Sequence, residues 1–310
     1  MADKSDPNFY TIPYAITKNI HRDPYWAIDS KNPANNQSGK IIIITGASSG
    51  IGAAAAKVWA EAHASGIVLA ARRVAAIDSL IEKLQPSNPS TKFLSVKVDI
   101  VNEDDVKNLF QVVQKEFGRP ADVLLNNAGL MGEGFIGETE PSNWWRVLET
   151  NLKGLYQMTH HYIQSQPSPS QPIGTIISVS SGRAGFTSPR GSAYNISKLA
   201  DERLYEHLHV EYPTLRVFTT MPGIAPTDMV KAHFRPYAHD HVDLTGMLAL
   251  YLVQERADYL RGGMVAVNWD VEELEEYKKE IEEGKLLKTS WRPILPFNGG
   301  KGLSGVRSQA

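Results

Sequence analysis

The chain has 310 residues, a formal net charge of −2 from 32 Lys and Arg against 34 Asp and Glu, and no cysteine. That length suits one large domain or two small ones, and the charge balance gives no electrostatic case for nucleic acid or an anionic membrane as partner. The lack of cysteine excludes disulfides, thiolate metal sites and cysteine nucleophiles.

Residues 1–39 are polar, aromatic and proline-bearing, with no sustained periodicity. The start lacks the apolar core of a signal peptide, and no apolar run in the chain reaches membrane-spanning length. The expectation is a soluble cytoplasmic protein acting on a small molecule. Tyr10, Tyr14, Tyr25 and Trp26 would be wasted on a disordered tail, so these residues read as an arm laid over the domain that follows. From residue 40 the pattern alternates. Strand-like runs fall near 41–45, 67–71, 93–98, 122–126, 174–180, 215–220 and 264–268, with helical stretches near 53–63, 74–84, 103–117, 142–164 and 192–211. Alternating β and α with apolar strands predicts a parallel sheet with helices on both faces. Residues 224–262 break the alternation and read as a substrate lid. Residues 271–279, acidic then basic, read as a solvated helix, and the glycine- and proline-bearing tail from 284, with Trp291, Pro293 and Pro296, as irregular. The predicted organisation is an arm (1–39), a catalytic domain (40–270) and a C-terminal extension (271–310).

The first strand, Ile41 to Ile44, runs into Thr45 and a loop holding Gly46, Ser48, Ser49, Gly50, Ile51 and Gly52, followed by an alanine-rich helix. Free backbone N–H groups and the positive end of that helix suit an anion, and a pyrophosphate can approach where Cβ atoms are missing. A glycine loop alone also serves ordinary turns; strand before and helix after is the context a dinucleotide motif requires. Further on, Tyr194 and Lys198 lie four apart at the start of a helix and share one face. A phenol with pKa near 10 is a poor acid–base group at neutral pH, and an ammonium beside it favours the phenolate. Ser181, thirteen residues before Tyr194, ends a strand-like run, where open α/β sheets bind ligands. It is placed to hydrogen-bond a carbonyl or hydroxyl that Tyr194 protonates or deprotonates.

Thr45-Gly46-x-x-x-Gly50-Ile51-Gly52, Asn126-Asn127-Ala128-Gly129, Asn151, Ser181, Tyr194-x-x-x-Lys198 and Pro222-Gly223 together resemble the short-chain dehydrogenase/reductase family, in its order and spacing, over about residues 40–270. The sequence style is similar to family members of fungal secondary metabolism. The resemblance implies a Rossmann-type doubly wound sheet of about seven parallel strands, a nicotinamide cofactor, and hydride transfer at a carbon bearing oxygen. It implies that Tyr194 is the acid/base, that Ser181 orients the substrate, that Lys198 also binds the nicotinamide ribose, and that Asn151 holds a water linking Lys198 to solvent. It further places Asp99 and Ile100 at the adenine, Asn127, Ala128 and Gly129 along the middle of the cofactor, and Pro222, Gly223, Ile224 and Thr227 at its nicotinamide end. Ala225 and Pro226 depart from the family pattern, and Pro226 removes a donor and stiffens that loop. The helices at 142–164 and 192–211 resemble those that pair between subunits in this family, which implies a homodimer or homotetramer.

Cofactor choice follows from charge. Sites preferring NAD place an acid after the second strand to accept from the ribose 2′-OH. Here Leu69-Ala70-Ala71-Arg72-Arg73 carries none, and an arginine fork suits a 2′-phosphate, so NADP(H) is expected with Arg72 as its partner. His233, His239 and His241, with Asp240 and Asp243, match no zinc spacing, and no metal is expected. One of Trp144 and Trp145 is expected in the core, as is Met221. The reading is an NADP(H)-dependent oxidoreductase that transfers a hydride between nicotinamide and a ketone or secondary alcohol, with reduction of a hydrophobic small molecule as the favoured direction. Its rivals are an isomerase, epimerase or cyclase with little net redox, and a non-catalytic NADP(H)-binding regulator. The Asn151, Ser181, Tyr194 and Lys198 set argues against the last, because a binding module needs no tuned phenol.

Overall fold

In the computed structural model, which describes residues 6–290, the seven runs form strands β1 (Ile41–Thr45), β2 (Gly66–Ala71), β3 (Lys92–Lys97), β4 (Val123–Asn126), β5 (Thr175–Val179), β6 (Arg216–Met221) and β7 (Met264–Ala266). All pair in parallel in the order β3-β2-β1-β4-β5-β6-β7. β1, β2, β4 and β5 are buried at every residue, as strands covered on both faces must be, whereas the edge strand β3 exposes Lys92 and Lys97. Ile42 lies opposite Val123 and Ile44 opposite Leu125, so β1 and β4 end level with each other. The strand order reverses between these two, and the crevice beyond their carboxyl ends is where a doubly wound sheet takes a ligand.

The helices are α1 (Gly50–Glu61), α2 (Val74–Leu84), α3 (Glu103–Phe117), α4 (Pro141–Leu148), α5 (Leu155–Gln164), α6 (Ser192–Glu211), α7 (Leu244–Leu252), α8 (Val271–Glu276) and α9 (Lys278–Gly284). The bounds of α3 follow from local chemistry. Asn102 accepts from the N–H groups of Asp104 and Asp105, acids fill the first turn, and Gly118 ends the helix in the left-handed region. Two cores flank the sheet. One holds Trp59, Phe218 and Tyr251, the other Phe110, Tyr162 and Tyr205. Among the described residues no helix is long and apolar enough to cross a membrane.

Four expectations change. The helix at 142–164 is interrupted by a π-helical turn, Glu149–Gly154, between α4 and α5. The lid at 224–262 divides in two: residues 224–234 border a cavity, but α7 is buried at all nine positions and packs on α1. Leu244–Leu252 is apolar all round, and such a helix belongs in a core. The stretch at 271–279 is not simply solvated, because Val271, Leu274 and Ile281 bury one side of α8 and α9. Trp144 is half-buried and Trp145 is 58% exposed, so neither is a full core residue, while Met221 is buried as expected. The expected irregular tail falls largely on residues 291–310, which lie outside the described residues, as do 1–5 of the arm.

The arm uses its aromatics as anchors. Ile20 pairs antiparallel with Trp269. The Trp269 indole donates to Tyr14 O at 2.7 Å and the Tyr25 hydroxyl to Trp269 O at 3.0 Å, while Ala27 and Ile28 are buried in the core.

Candidate active site

The loop after β1 closes on the loop after β4 through one side chain from each. Thr45 Oγ1 accepts from the N–H groups of Asn127 and Ala128, both at 3.0 Å, and Asn127 Nδ2 donates to Thr45 O at 2.9 Å. Gly46 sits at φ +67°, and a Cβ there would lie 2.9 Å from Ala128 Cα, so the close approach of the two loops requires glycine. Ser48, Ser49, Gly50, Ile51, Asn127, Ala128 and Gly129 line a cavity of about 330 Å³ that begins at Arg72 and Arg73 and ends at Tyr194 and Lys198. Asp99, Ile100, Pro222 and Thr227 also border it.

The π-helical turn carries Asn151, a residue type with a short polar side chain that the widened turn aims inward. It is 2% exposed, accepts from Leu130 N at 2.7 Å, and donates to Leu130 O at 2.9 Å and Ser197 Oγ at 3.0 Å. Both amide donors are therefore engaged, and the second lone pair of Oδ1 is the side-chain position left for a water. On α6, Tyr194 and Lys198 are both buried on the face towards β5, and Lys198 Nζ donates to Val179 O at 2.6 Å. Ser181 caps a short turn, with its Oγ accepting from Arg183 N.

A second cavity of about 170 Å³ meets the first. Both are lined by Ile51, Tyr194, Pro222, Thr227 and Met229, so Tyr194 stands at their junction. Ser181, Gly223 and Ile224 line the second cavity, as do Tyr10 and Tyr14 of the arm. Most of the expected site residues thus line one or other of two adjoining spaces, while Asn151 and Gly52 line neither; Asn151 is held behind the wall on Leu130 and Ser197.

Several groups here were not foreseen. Arg73, ranked behind Arg72, donates through Nη2 to Ser49 Oγ at 2.9 Å and Ser48 Oγ at 3.1 Å. Asp240, considered only as a metal ligand, is fully buried and accepts from Ile224 N, Asn268 Nδ2 and the arm's Arg22 Nε. Gly223, at φ +68°, leaves room for it, since a Cβ would lie 2.4 Å from Asp240 Oδ2. His239 turns to Pro236 O, and no set of three or more His, Asp or Glu among the described residues is arranged to hold a metal. Behind Lys198 lie two buried carboxylates. Asp201 accepts from Ser178 at 2.9 Å and sits 3.7 Å from Lys198 Nζ, with its other oxygen unpartnered; burial raises its pKa. Glu202 accepts from Ser180 at 3.1 Å, and burial pushes its carboxyl up to about 7. No motif announces either acid, but the polar Asp-Glu pair on a helix face that otherwise packs on β5 was a readable anomaly.

A nicotinamide dinucleotide, tested against these residues, fits. Gly46 leaves no room for a Cβ where the loops touch, the glycine loop and two arginines border one end, and the cavity runs on to the phenol and ammonium.

The short chain dehydrogenase family model matches residues 40–238. The chain is 33% identical over 307 residues to short chain dehydrogenase pigC of Monascus ruber, covering 93% of this chain and 98% of that protein. It is 34% identical over 310 residues to short chain dehydrogenase tazN of Aspergillus terreus, covering 96% and 67%. Among solved structures, the 3-ketoacyl-(acyl-carrier-protein) reductase of Brucella melitensis, complexed with NADH, matches with a TM-score of 0.67 and 26% identity, over 75% of this chain and 98% of that one.

Proposed function

The chain belongs to the short-chain dehydrogenase family, a family of nicotinamide-dependent oxidoreductases, and from that premise we propose that it is an NADP(H)-dependent reductase of a hydrophobic ketone. The observation that carries this reading is the meeting of the two cavities at Tyr194: a larger, more polar one bordered by arginines, and a smaller, mainly apolar one. A nicotinamide held by these residues would supply the hydride. Tyr194 gives its phenolic proton to the substrate oxygen, and Ser181 Oγ holds that oxygen in line. Lys198, buried beside Tyr194, stabilises the phenolate that remains and binds the ribose of the cofactor. Asn151 fixes the loop at Leu130 and offers Oδ1 to a water on the proton's route to solvent. Gly46 to Gly52 and Asn127 to Gly129 carry the pyrophosphate and the middle of the cofactor, Asp99 and Ile100 its adenine, and Pro222 to Ile224 with Thr227 its nicotinamide end.

The preference for NADP(H) rests on Arg72 and Arg73 at the end of β2, with no acid there to accept from a ribose 2′-OH. The apolar substrate rests on the lining of the smaller cavity. The Brucella reductase holds NADH, so the cofactor choice is tested directly: NADPH and NADH are titrated by fluorescence, and their oxidation is followed with a ketone panel. Tighter NADPH binding and ketone-dependent oxidation are expected; equal affinity for both cofactors would remove the arginine argument. We further read the protein as a homodimer or homotetramer. Trp145, Tyr156, Ile196, Leu199 and Val210 of α4, α5 and α6 are all exposed, an apolar group suited to a second copy. Sedimentation as a monomer at micromolar concentration refutes it.

A further inference from the structure

Arg183 occupies a place in the smaller cavity that a purely apolar substrate would leave in conflict. That cavity is walled by Tyr10, Tyr14, Phe186, Phe234 and Trp269 among others, and the charged side chains on its lining are Arg183 and Lys231. Both are cations, and among the described residues no carboxylate lines it. The Arg183 guanidinium lies 5.5 Å from the Tyr194 ring and 5.9 Å from the Phe234 ring, between the acid/base and the roof. Its side chain is only 13% exposed. Nε is well satisfied, donating to Asn195 Oδ1 at 3.0 Å. The terminal nitrogens have no short oxygen acceptor: Nη1 is 3.4 Å from its ion-pair partner Glu133 Oε1 and at an ordinary 3.6 Å from Met131 Sδ, and Nη2 is 3.5 Å from Ser188 Oγ. Good N–H···O bonds are about 2.7–3.2 Å. The stem is thus fixed while the fork keeps donor capacity facing the cavity. Filling this space with hydrocarbon would further desolvate a cation whose carboxylate partner, Glu133, stands at 3.4 Å, and would add no acceptor for its weakly engaged donors, which is costly.

We propose that the substrate carries an anionic oxygen, a carboxylate or enolate, beside the carbonyl that Tyr194 protonates, and that Arg183 is the residue that binds it. This rests on the carbonyl-reductase reading above and narrows it to apolar, aromatic-sized keto acids and ionised 1,3-dicarbonyls. Arg183 then sets orientation. Its fork holds the anion, the aromatic walls hold the ring, and the carbonyl is left at Tyr194 and Ser181. Glu133, 19% exposed and shared with His233 at 3.7 Å, sits behind the guanidinium and keeps it aimed.

The test measures dissociation constants by calorimetry on the enzyme with NADP⁺, separately from turnover. The probes are matched pairs: the acetylbenzoates against their methyl esters, and a cyclic 2-acyl-1,3-dione, ionised at neutral pH, against the corresponding monoketone. The anion of at least one pair should bind at least ~10-fold more tightly than its neutral partner, which is about 1.4 kcal/mol. Which pair shows the gap separates carboxylate from enolate. Arg183→Met should erase the gap. Arg183→Lys should keep part of it, because charge survives and the fork does not. Thermal melts of both variants show whether the loss of the Asn195 contact has disturbed the fold, and Arg183→Lys decides if Arg183→Met is damaged. Anions binding no better than neutral partners, or a gap that survives Arg183→Met, overturns the inference. Arg183-dependent anion binding without cofactor oxidation supports it and sinks the reductase reading. Reduction of neutral ketones without any anion preference does the reverse.

Discussion

The two cavities that meet at Tyr194 differ in how the chain builds them. The larger is made of short contiguous segments: one strand-to-helix turn, the Asn127 to Gly129 turn, and the ends of β2 and β5. Each segment carries its own geometric reason in a few adjacent residues, such as the glycine at Gly46 that lets two loops touch. The smaller draws on the arm, the 181–186 turn, the 223–234 segment and the residues after β7. Nothing local ties these together. They are joined by Arg22 on Asp240, by Tyr14, whose hydroxyl donates to Gly182 O at 2.8 Å, and by Trp269 on Tyr14 O. The first cavity is therefore a property of motifs, and the second a property of tertiary packing.

The largest expected effect falls where the two meet. Tyr194→Phe removes the transferable proton and almost no volume, so kcat should fall ~10²–10⁴-fold. Cofactor affinity should stay close to that of the parent protein, since the larger cavity is otherwise intact. Single-turnover NADPH oxidation and fluorescence titration report the two halves separately. A variant with near-parental turnover would remove Tyr194 from the chemistry.

The second test asks whether the smaller cavity depends on the arm. Asp240 is completely buried, and Arg22 is its cationic partner. Removing one member of such a pair leaves a buried charge uncompensated, at a cost of roughly 3–5 kcal/mol. Arg22→Ala should lower the melting temperature by several degrees and raise KM for the ketone. Asp240 also accepts from Ile224 N, so the loss should reach the nicotinamide end of the loop. An unchanged melting curve would mean that the arm merely rests on the surface.

This division also explains what the sequence made legible. The strands, their parallel sheet and the loop at Gly46 to Gly52 follow from periodicity and glycine placement, which act over a few residues, whereas the doubly wound arrangement came from the family resemblance. Tyr194, Lys198 and Ser181 follow from spacing on one helix and one strand end. Arg22 and Asp240 lie 218 positions apart, and no periodicity links an arginine in an aperiodic arm to an aspartate among loop histidines. The π-helical turn was hidden for another reason: Glu149–Gly154 keeps the helical apolar pattern, and only its hydrogen bonding departs. The lid at 224–262 was overextended because proline and histidine at its start outweighed an apolar run at its end.

Between the two halves lies Glu202, beneath Ser180 and close enough to Tyr14 to raise its pKa after burial has done so. In the folded protein its carboxyl titrates near 7 rather than 4.5, chiefly through burial, with Asp201 and Glu206 adding repulsion. The native state therefore keeps a proton that the unfolded chain releases, and stability falls as pH rises from about 4.5 to 7. At ~1.36 kcal/mol per unit, that penalty is about 3 kcal/mol and is complete above pH 7. Glu202→Gln cannot ionise, so denaturant unfolding should show a flatter pH profile and greater stability than the parent at pH 8. If the two proteins lose stability in parallel over that range, Glu202 is not the titrating group.

The smallest expected effect sharpens the motif-built half. The sequence pointed to Arg72 for a 2′-phosphate, but hydrogen bonds favour its neighbour. Arg73 reaches across the end of β2 to Ser48 and Ser49 of the glycine loop, so its guanidinium is already held at the anionic end of the cavity. Both arginines are exposed, but Arg72 borders the same cavity with no such anchor, and an exposed, unanchored charge contributes under about 1 kcal/mol. A hydrogen bond to a charged group contributes roughly 1.5–3 kcal/mol, so Arg73→Asp should weaken NADPH by ~10–100-fold while NADH holds or improves. Arg72→Asp should cost less than ~10-fold. Titrating both cofactors into both variants ranks the two arginines. A larger loss at Arg72 restores the ranking read from sequence and makes the serine contacts of Arg73 a resting position that the cofactor displaces. No change in the NADPH-to-NADH preference in either variant would leave the specificity without an electrostatic basis at the end of β2.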